Sequence, residues 1–159
     1  MKKISVTITT LLLCMVVFGQ TAVTPATALQ SYLHNGDNSF TWEVKDAYDI
    51  GTTKAYALLV TSQKWRQYVW KHQLTIIVPK ENKYDGALLF ITGGSLDNGT
   101  VNWNGREDDF NKAMAKIAHD NQAIVAVLRQ TPNQPLYDSL TEDALISYTL
   151  HNFKADKDY

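Results

Sequence analysis

A single cysteine, Cys14, excludes an intramolecular disulfide, and four scattered histidines offer no spacing for a structural zinc site. No metal and no cofactor are therefore expected. Charge of one sign is also lacking. Fifteen Lys and Arg stand against 16 Asp and Glu, a formal net charge of -1. That balance carries no electrostatic footprint for a polyanion, so nucleic acid is not an expected partner. The chain also lacks an apolar run of the roughly 20 residues that a spanning helix needs.

What is present begins with a leader. Lys2 and Lys3 precede an apolar stretch from Ile8 through Leu11, Leu12, Leu13, Cys14, Met15, Val16, Val17 and Phe18, closed by Gly19, Gln20 and Thr21. Residues 1–22 read as a secretory signal peptide, with small residues at Gly19, Ala22 and Ala28 as alternative cleavage points. The expected location is secreted or periplasmic, with no stable membrane span after cleavage. Cys14 lies inside the leader, so the mature chain would rely on burial alone for its stability.

Residues 23–38 read as a linker and 39–159 as the folded part. Phe40-Thr41-Trp42-Glu43-Val44 alternates large apolar with polar residues, the period of a half-buried strand. A turn over Asp49 to Thr53 leads to a second strand, Lys54 to Thr61, and Gln73 to Val78 forms a third, ended by Pro79. Polar connectors favour antiparallel pairing among these. Ala87-Leu88-Leu89-Phe90-Ile91 and Ala123-Ile124-Val125-Ala126-Val127-Leu128 are continuous apolar runs, expected to be strands buried on both faces of a parallel sheet. Between them, Asn98-Gly99 and Asn104-Gly105 mark a long loop. A helix then follows, with Phe110, Ala113, Met114, Ile117 and Ala118 at helical spacing and Glu107, Asp108 and Asp109 at its positive end. Strand, glycine turn, helix and strand make a βαβ unit. A last helix, capped by Ser139 with Glu142 or by Thr141, carries Ala144 to Phe153 and presents an apolar face fit to lie on a sheet.

The expected fold class is therefore α/β, with antiparallel leading strands followed by a parallel βαβ unit. The chain stops after a helix without the strand to which such a helix should lead. An unfilled strand position leaves a row of unpaired backbone groups. The folded part is accordingly expected to be truncated at its carboxyl end, the opening portion of an α/β-hydrolase-like sheet. That fold places its nucleophile on a sharp turn after a later strand, and no Gly-x-Ser-x-Gly occurs here.

Four segments carry a resemblance. Leu59-Val60-Thr61-Ser62-Gln63-Lys64-Trp65, Ala87-Leu88-Leu89-Phe90-Ile91-Thr92-Gly93-Gly94-Ser95, Leu128-Arg129-Gln130-Thr131-Pro132-Asn133-Gln134-Pro135-Leu136 and Thr141-Glu142-Asp143-Ala144-Leu145-Ile146 resemble the PhoPQ-activated pathogenicity-related (PqaA-type) proteins. The resemblance runs from about Leu29 to Phe153 and implies an exported α/β-hydrolase-like domain. It also implies that further strands, with the candidate nucleophile, acid and histidine, belong to a part not contained in these residues. No catalytic residue is assigned within them.

Two sets of residues are candidates for a supporting role. Gly93 and Gly94 follow the buried strand where this fold draws one oxyanion-hole N–H, or else they simply form a tight strand-to-helix turn. Ser95, Arg129, Gln130, Asn133 and Gln134 stand at the carboxyl edge of the parallel strands, where open α/β sheets collect ligands, and are candidates to line a cleft. The competing assignment for the last four is a structural loop whose polar groups satisfy buried carbonyls. His34, His72, His119 and His151 read as structural. The complete protein would act on a small ester, a peptide or a cell-envelope substrate, or would be a non-catalytic extracellular binding or signalling protein on a hydrolase scaffold.

Overall fold

The computed structural model describes residues 23–155, and the leader read over 1–22 lies outside them. The chain divides into two units, the first ending at Gly36 and the second beginning at Asp37. Within the segment read as a linker, residues Ala28–Leu33 form a short helix, α1. Among the described residues no helix is long and apolar enough to cross a membrane.

The second unit is built on a five-stranded sheet. β1 (Thr41–Ile50), β2 (Thr53–Trp65) and β3 (Tyr68–Pro79) form an antiparallel meander. β4 (Ala87–Ile91) comes next in the chain but not in the sheet. After a two-stranded hairpin, β5 (Leu96–Asp97) with β6 (Thr100–Val101), and the helix α2 (Asp109–Asn121), the strand β7 (Ile124–Leu128) inserts between β3 and β4. The order is β1-β2-β3-β7-β4. β7 runs antiparallel to β3 and parallel to β4, with Ala87 opposite Ile124 and Ile91 opposite Leu128. The result is a mixed α/β sheet, mostly antiparallel, with one parallel pair. The last helix, α3, spans Glu142–Ala155.

The core lies between one sheet face and α2. Tyr48, Ala55, Ala57, Ile77, Val125 and Val127 meet Met114, Ala115 and Ala118. Small residues on β2 let the helix sit close to the sheet. α2 starts at Asp108, whose Oδ1 accepts from the Asn111 N–H at 2.8 Å, an N-cap that satisfies one of the helix's free donors. Its stripe is Asn111, Met114, Ala115 and Ala118, rotated slightly from the apolar spacing, so Phe110 is left at the rim, edge-on to Phe90.

Five expectations are corrected. β4 is not buried on both faces: Leu88, Leu89 and Ile91 are 47%, 52% and 60% exposed. Its partner among the described residues is β7, which makes it an edge, and only Phe90 packs against the core. β7 alternates half-buried with buried residues, because only one of its faces meets α2. The stretch read as a long loop contains the β5–β6 hairpin. Asn98 and Gly99 take φ of 48° and 76°, the paired left-handed values of a tight hairpin turn. Finally, α3 does not lie on the sheet. Ile146, Tyr148, Leu150 and Phe153 are exposed and Leu145 alone is buried. The Ser139 capping box does not start that helix either, since the Glu142 N–H donates to the Gln134 Oε1 at 2.7 Å. A tertiary amide takes the place of the local cap.

Candidate functional site

Because β4 and β7 are parallel and in register, their carboxyl ends open side by side. Thr92 continues the ladder by donating to the Leu128 carbonyl at 2.9 Å, and the Gln130 N–H reaches the Gly93 carbonyl at 3.3 Å. The Gly93-Gly94-Ser95 turn and the Arg129 to Gln134 loop thus meet at one edge.

The two glycines differ. Gly94 has φ of +148°, and a Cβ there would lie 2.9 Å from Gln130 Nε2 and 3.0 Å from the Gln130 backbone N. Its missing side chain makes room for Gln130 rather than for a ligand. Gly93 is exposed, with nothing within 4 Å of an added Cβ. The carbonyls of both are used, that of Gly94 accepting from Gln134 Nε2 at 3.2 Å. Their N–H groups donate to no acceptor among the described residues. Ser95 is exposed, and its hydroxyl accepts from Asn102 Nδ2 at 2.7 Å, across the base of the β5–β6 hairpin.

Arg129, Gln130, Asn133 and Gln134 are all buried, Gln130 completely. Most of their polar groups are spent on the protein, Arg129 Nε being buried without a hydrogen-bond partner. Gln130 Oε1 accepts from the Gln73 N–H at 2.8 Å while its Nε2 donates to the Asn102 carbonyl at 3.2 Å. Asn133 Nδ2 donates to the Lys71 carbonyl. Arg129 Nη2 donates to Asp108 Oδ1 at 2.7 Å, and the guanidinium lies over the Phe110 ring at 5.4 Å. These are loop backbone groups satisfied by side chains where ladder partners end. Gln134 and Glu142 extend the same pattern to α3. Both prolines of the loop follow cis peptide bonds, Thr131-Pro132 and Gln134-Pro135.

Several residues of this network were not legible as site residues. Gln73 occupies a core-facing position of β3, bonded through Nε2 to Thr75 Oγ1 at 2.9 Å and through Oε1 to the Asn104 N–H at 2.8 Å. Its period-two spacing with Thr75 and Ile77 is the signal that marks it: a polar residue in the buried register. Asp108 takes a third bond, from Asn104 Nδ2 to its Oδ2 at 2.9 Å. His72 lies in mid-β3, 4% exposed. Its Nδ1 lies 3.0 Å from the Arg129 carbonyl and its Nε2 2.8 Å from Ser62 Oγ. Among the described residues, no group of acidic, cysteine or histidine side chains could hold a metal ion.

Burial holds the His72 pKa below its ordinary 6.5, outweighing backbone hydrogen bonds that favour the charged ring. The unfolded chain therefore binds this proton more readily than the folded one. Stability from His72 is full above about pH 6.5 and is lost as pH falls below it towards the depressed folded-state value, with a limiting slope of about 1.4 kcal/mol per pH unit. Urea unfolding at a series of pH values is expected to show this slope, and His72→Gln to remove it.

The arrangement defines a mixed α/β protein with a buried amide network beneath two glycines at the edge of a parallel strand pair. The chain belongs to the PhoPQ-activated pathogenicity-related protein family, whose sequence description matches residues 29–159. It is 28% identical over 138 residues to the autocrine proliferation repressor protein A of Dictyostelium discoideum, across 80% of this chain and 27% of that protein. The chain thus spans about a quarter of the length of that curated relative. No solved structure matches it significantly.

Proposed function

We propose that these residues are the amino-terminal part of an exported α/β-hydrolase-like acyl hydrolase, of esterase or peptidase type, and that Gly93 and Gly94 supply an oxyanion-hole N–H. The observation that carries this reading is the pair of glycine N–H groups without acceptors, at the carboxyl edge of the parallel strands. Donors already aimed and unpaired need no reorganisation when charge develops on a carbonyl oxygen. The strand order supports the scaffold: β7 enters between an antiparallel neighbour, β3, and its parallel partner, β4, as in the opening of that fold. The nucleophile would come from outside these residues. The substrate would be a small ester, a peptide or a cell-envelope component, met in the periplasm or outside the cell.

A second reading, a non-catalytic extracellular binding or signalling protein on the same scaffold, is favoured by the name of the Dictyostelium relative, a proliferation repressor. Expression of the whole reading frame decides between them. Under the first reading it hydrolyses p-nitrophenyl esters or peptide anilides. Gly93→Pro, which removes an N–H, then lowers kcat roughly 100-fold or more with little change in KM, while Gly93→Ala is near wild type. A folded full-length protein without hydrolysis, or Gly93→Pro with wild-type kcat, overturns the oxyanion assignment.

A further inference from the structure

The sheet face turned away from α2 carries its own chemistry. Strand pairing lines its residues up in rows: Trp42 opposite Val60 and Val60 opposite His72, then Val44 opposite Leu58 and Leu58 opposite Leu74. With Phe40, Tyr56 and Ile76 these apolar side chains line an open groove of about 470 Å³. Trp42 and Val44 are exposed there. His72 stands next to Val60 in one of these rows, buried just beyond the groove's lining.

The ring is set up as a base. A carbonyl oxygen can only accept, so the contact with the Arg129 carbonyl places the proton on Nδ1 and leaves the Nε2 lone pair to accept from the Ser62 hydroxyl. Ser62 reaches it because the β2–β3 register shifts between Thr61 and Gln63, making Ser62 the extra residue of a β-bulge. Trp70, two residues before His72 on β3, places its ring 6.3 Å from the imidazole, tilted by 58°. Its Nε1–H is buried without a hydrogen-bond partner. A hydroxyl bonded to a base that a third group orients is the arrangement of an activated nucleophile.

We propose that Ser62 is an acyl-accepting nucleophile with His72 as its base, and that its substrate is an ester of an apolar acyl chain laid along this groove. Ser62 Oγ bonds to the acyl carbon while its proton passes to His72 Nε2. The ester C–O bond breaks, and the same proton leaves with the alcohol. Water then attacks the acyl-Ser62 ester, giving its proton through His72 back to Ser62 Oγ and releasing the acid. The Arg129 carbonyl, bonded to Nδ1–H, stabilises the imidazolium formed between these steps. The groove matches the acyl chain because it offers apolar contact and no charge. This site is separate from the Gly93-Gly94 edge and stands or falls independently of it.

The test treats the 159-residue chain with p-nitrophenyl acetate and p-nitrophenyl octanoate, following p-nitrophenolate release and mapping adducts by peptide mass spectrometry. The expected result is an acyl adduct on Ser62, absent in Ser62→Ala, forming roughly tenfold or more faster with octanoate than with acetate. His72→Gln slows it roughly 100-fold. Trp42→Lys brings the octanoate-to-acetate ratio to about one. Release of p-nitrophenolate unchanged by Ser62→Ala, an adduct on Ser95 or on lysines instead, or a rate indifferent to His72→Gln overturns the nucleophile. A rate indifferent to acyl length overturns the groove as its acyl site. Mapping on the wild-type chain decides the first point even where a His72 variant fails to fold.

Discussion

Replacing Arg129 by methionine is expected to lower folding stability by about 3–5 kcal/mol, because it leaves the Asp108 carboxylate partly buried without its cation. The side chains of the two are only 11% and 18% exposed, and Nη2 lies 2.7 Å from Oδ1. Asp108 does more than neutralise Arg129. The same Oδ1 caps α2 through the Asn111 N–H, and Oδ2 accepts from Asn104 Nδ2. An uncompensated charge there strains the helix start and the loop before it together. Asp108→Ala is expected to lose a comparable amount plus about 1 kcal/mol for the lost cap. The double variant should then lose clearly less than the sum, because neither charge remains to be buried alone. Urea unfolding of the four proteins checks this. A single-variant loss below about 1 kcal/mol would mean the pair behaves as a solvated surface bridge.

The second large effect is at Gly94. Gly94→Val is expected to destabilise by roughly 2–5 kcal/mol, combining a φ that β-branched residues avoid with a collision against the Gln130 amide. The Gln130 side chain cannot simply retreat, since it donates to the Asn102 carbonyl and accepts from the Gln73 N–H. Gly93→Ala, one position away, is expected to stay within about 0.5 kcal/mol, because an added Cβ meets nothing within 4 Å. Equal effects at the two positions would contradict the division of labour between them. The same comparison separates structure from chemistry: Gly94 shapes the turn around Gln130, and Gly93 is the exposed member with an N–H to offer.

Both predictions concern residues whose importance was visible in the sequence while their roles were not. Arg129 and Gln130 are marked in the sequence by leaving the end of an apolar run. Whether they face a cleft or the interior depends on what lies across from them, and Gln73, Asn102, Asn104 and Asp108 come from distant parts of the chain. Ser62 and His72 are ten positions apart with no motif between them. Their meeting requires the antiparallel pairing of β2 with β3 and, within it, a bulge of one residue.

The sequence by itself determined the local periods and their punctuation. Alternation in Phe40 to Val44 and Lys54 to Thr61, the apolar stripe with acidic start of α2, and the Asn-Gly and Gly-Gly breaks fixed most elements, because side-chain direction repeats every two residues in a strand and every 3.6 in a helix. The four characteristic segments were enough for the family. Tertiary structure alone decided that β7 enters between β3 and β4 and that β4 lies at the edge. An apolar run such as Ala87 to Ile91 reads the same whether it ends up central or at an edge, since its burial is set by strands and helices brought there from elsewhere. The insertion of β7 between β3 and β4 aligned the Gly93 and Arg129 loops, left β4 exposed, and delivered the Arg129 carbonyl to His72. The contact of β7 with β3 and that of Arg129 with His72 are long-range, and no local pattern encodes them.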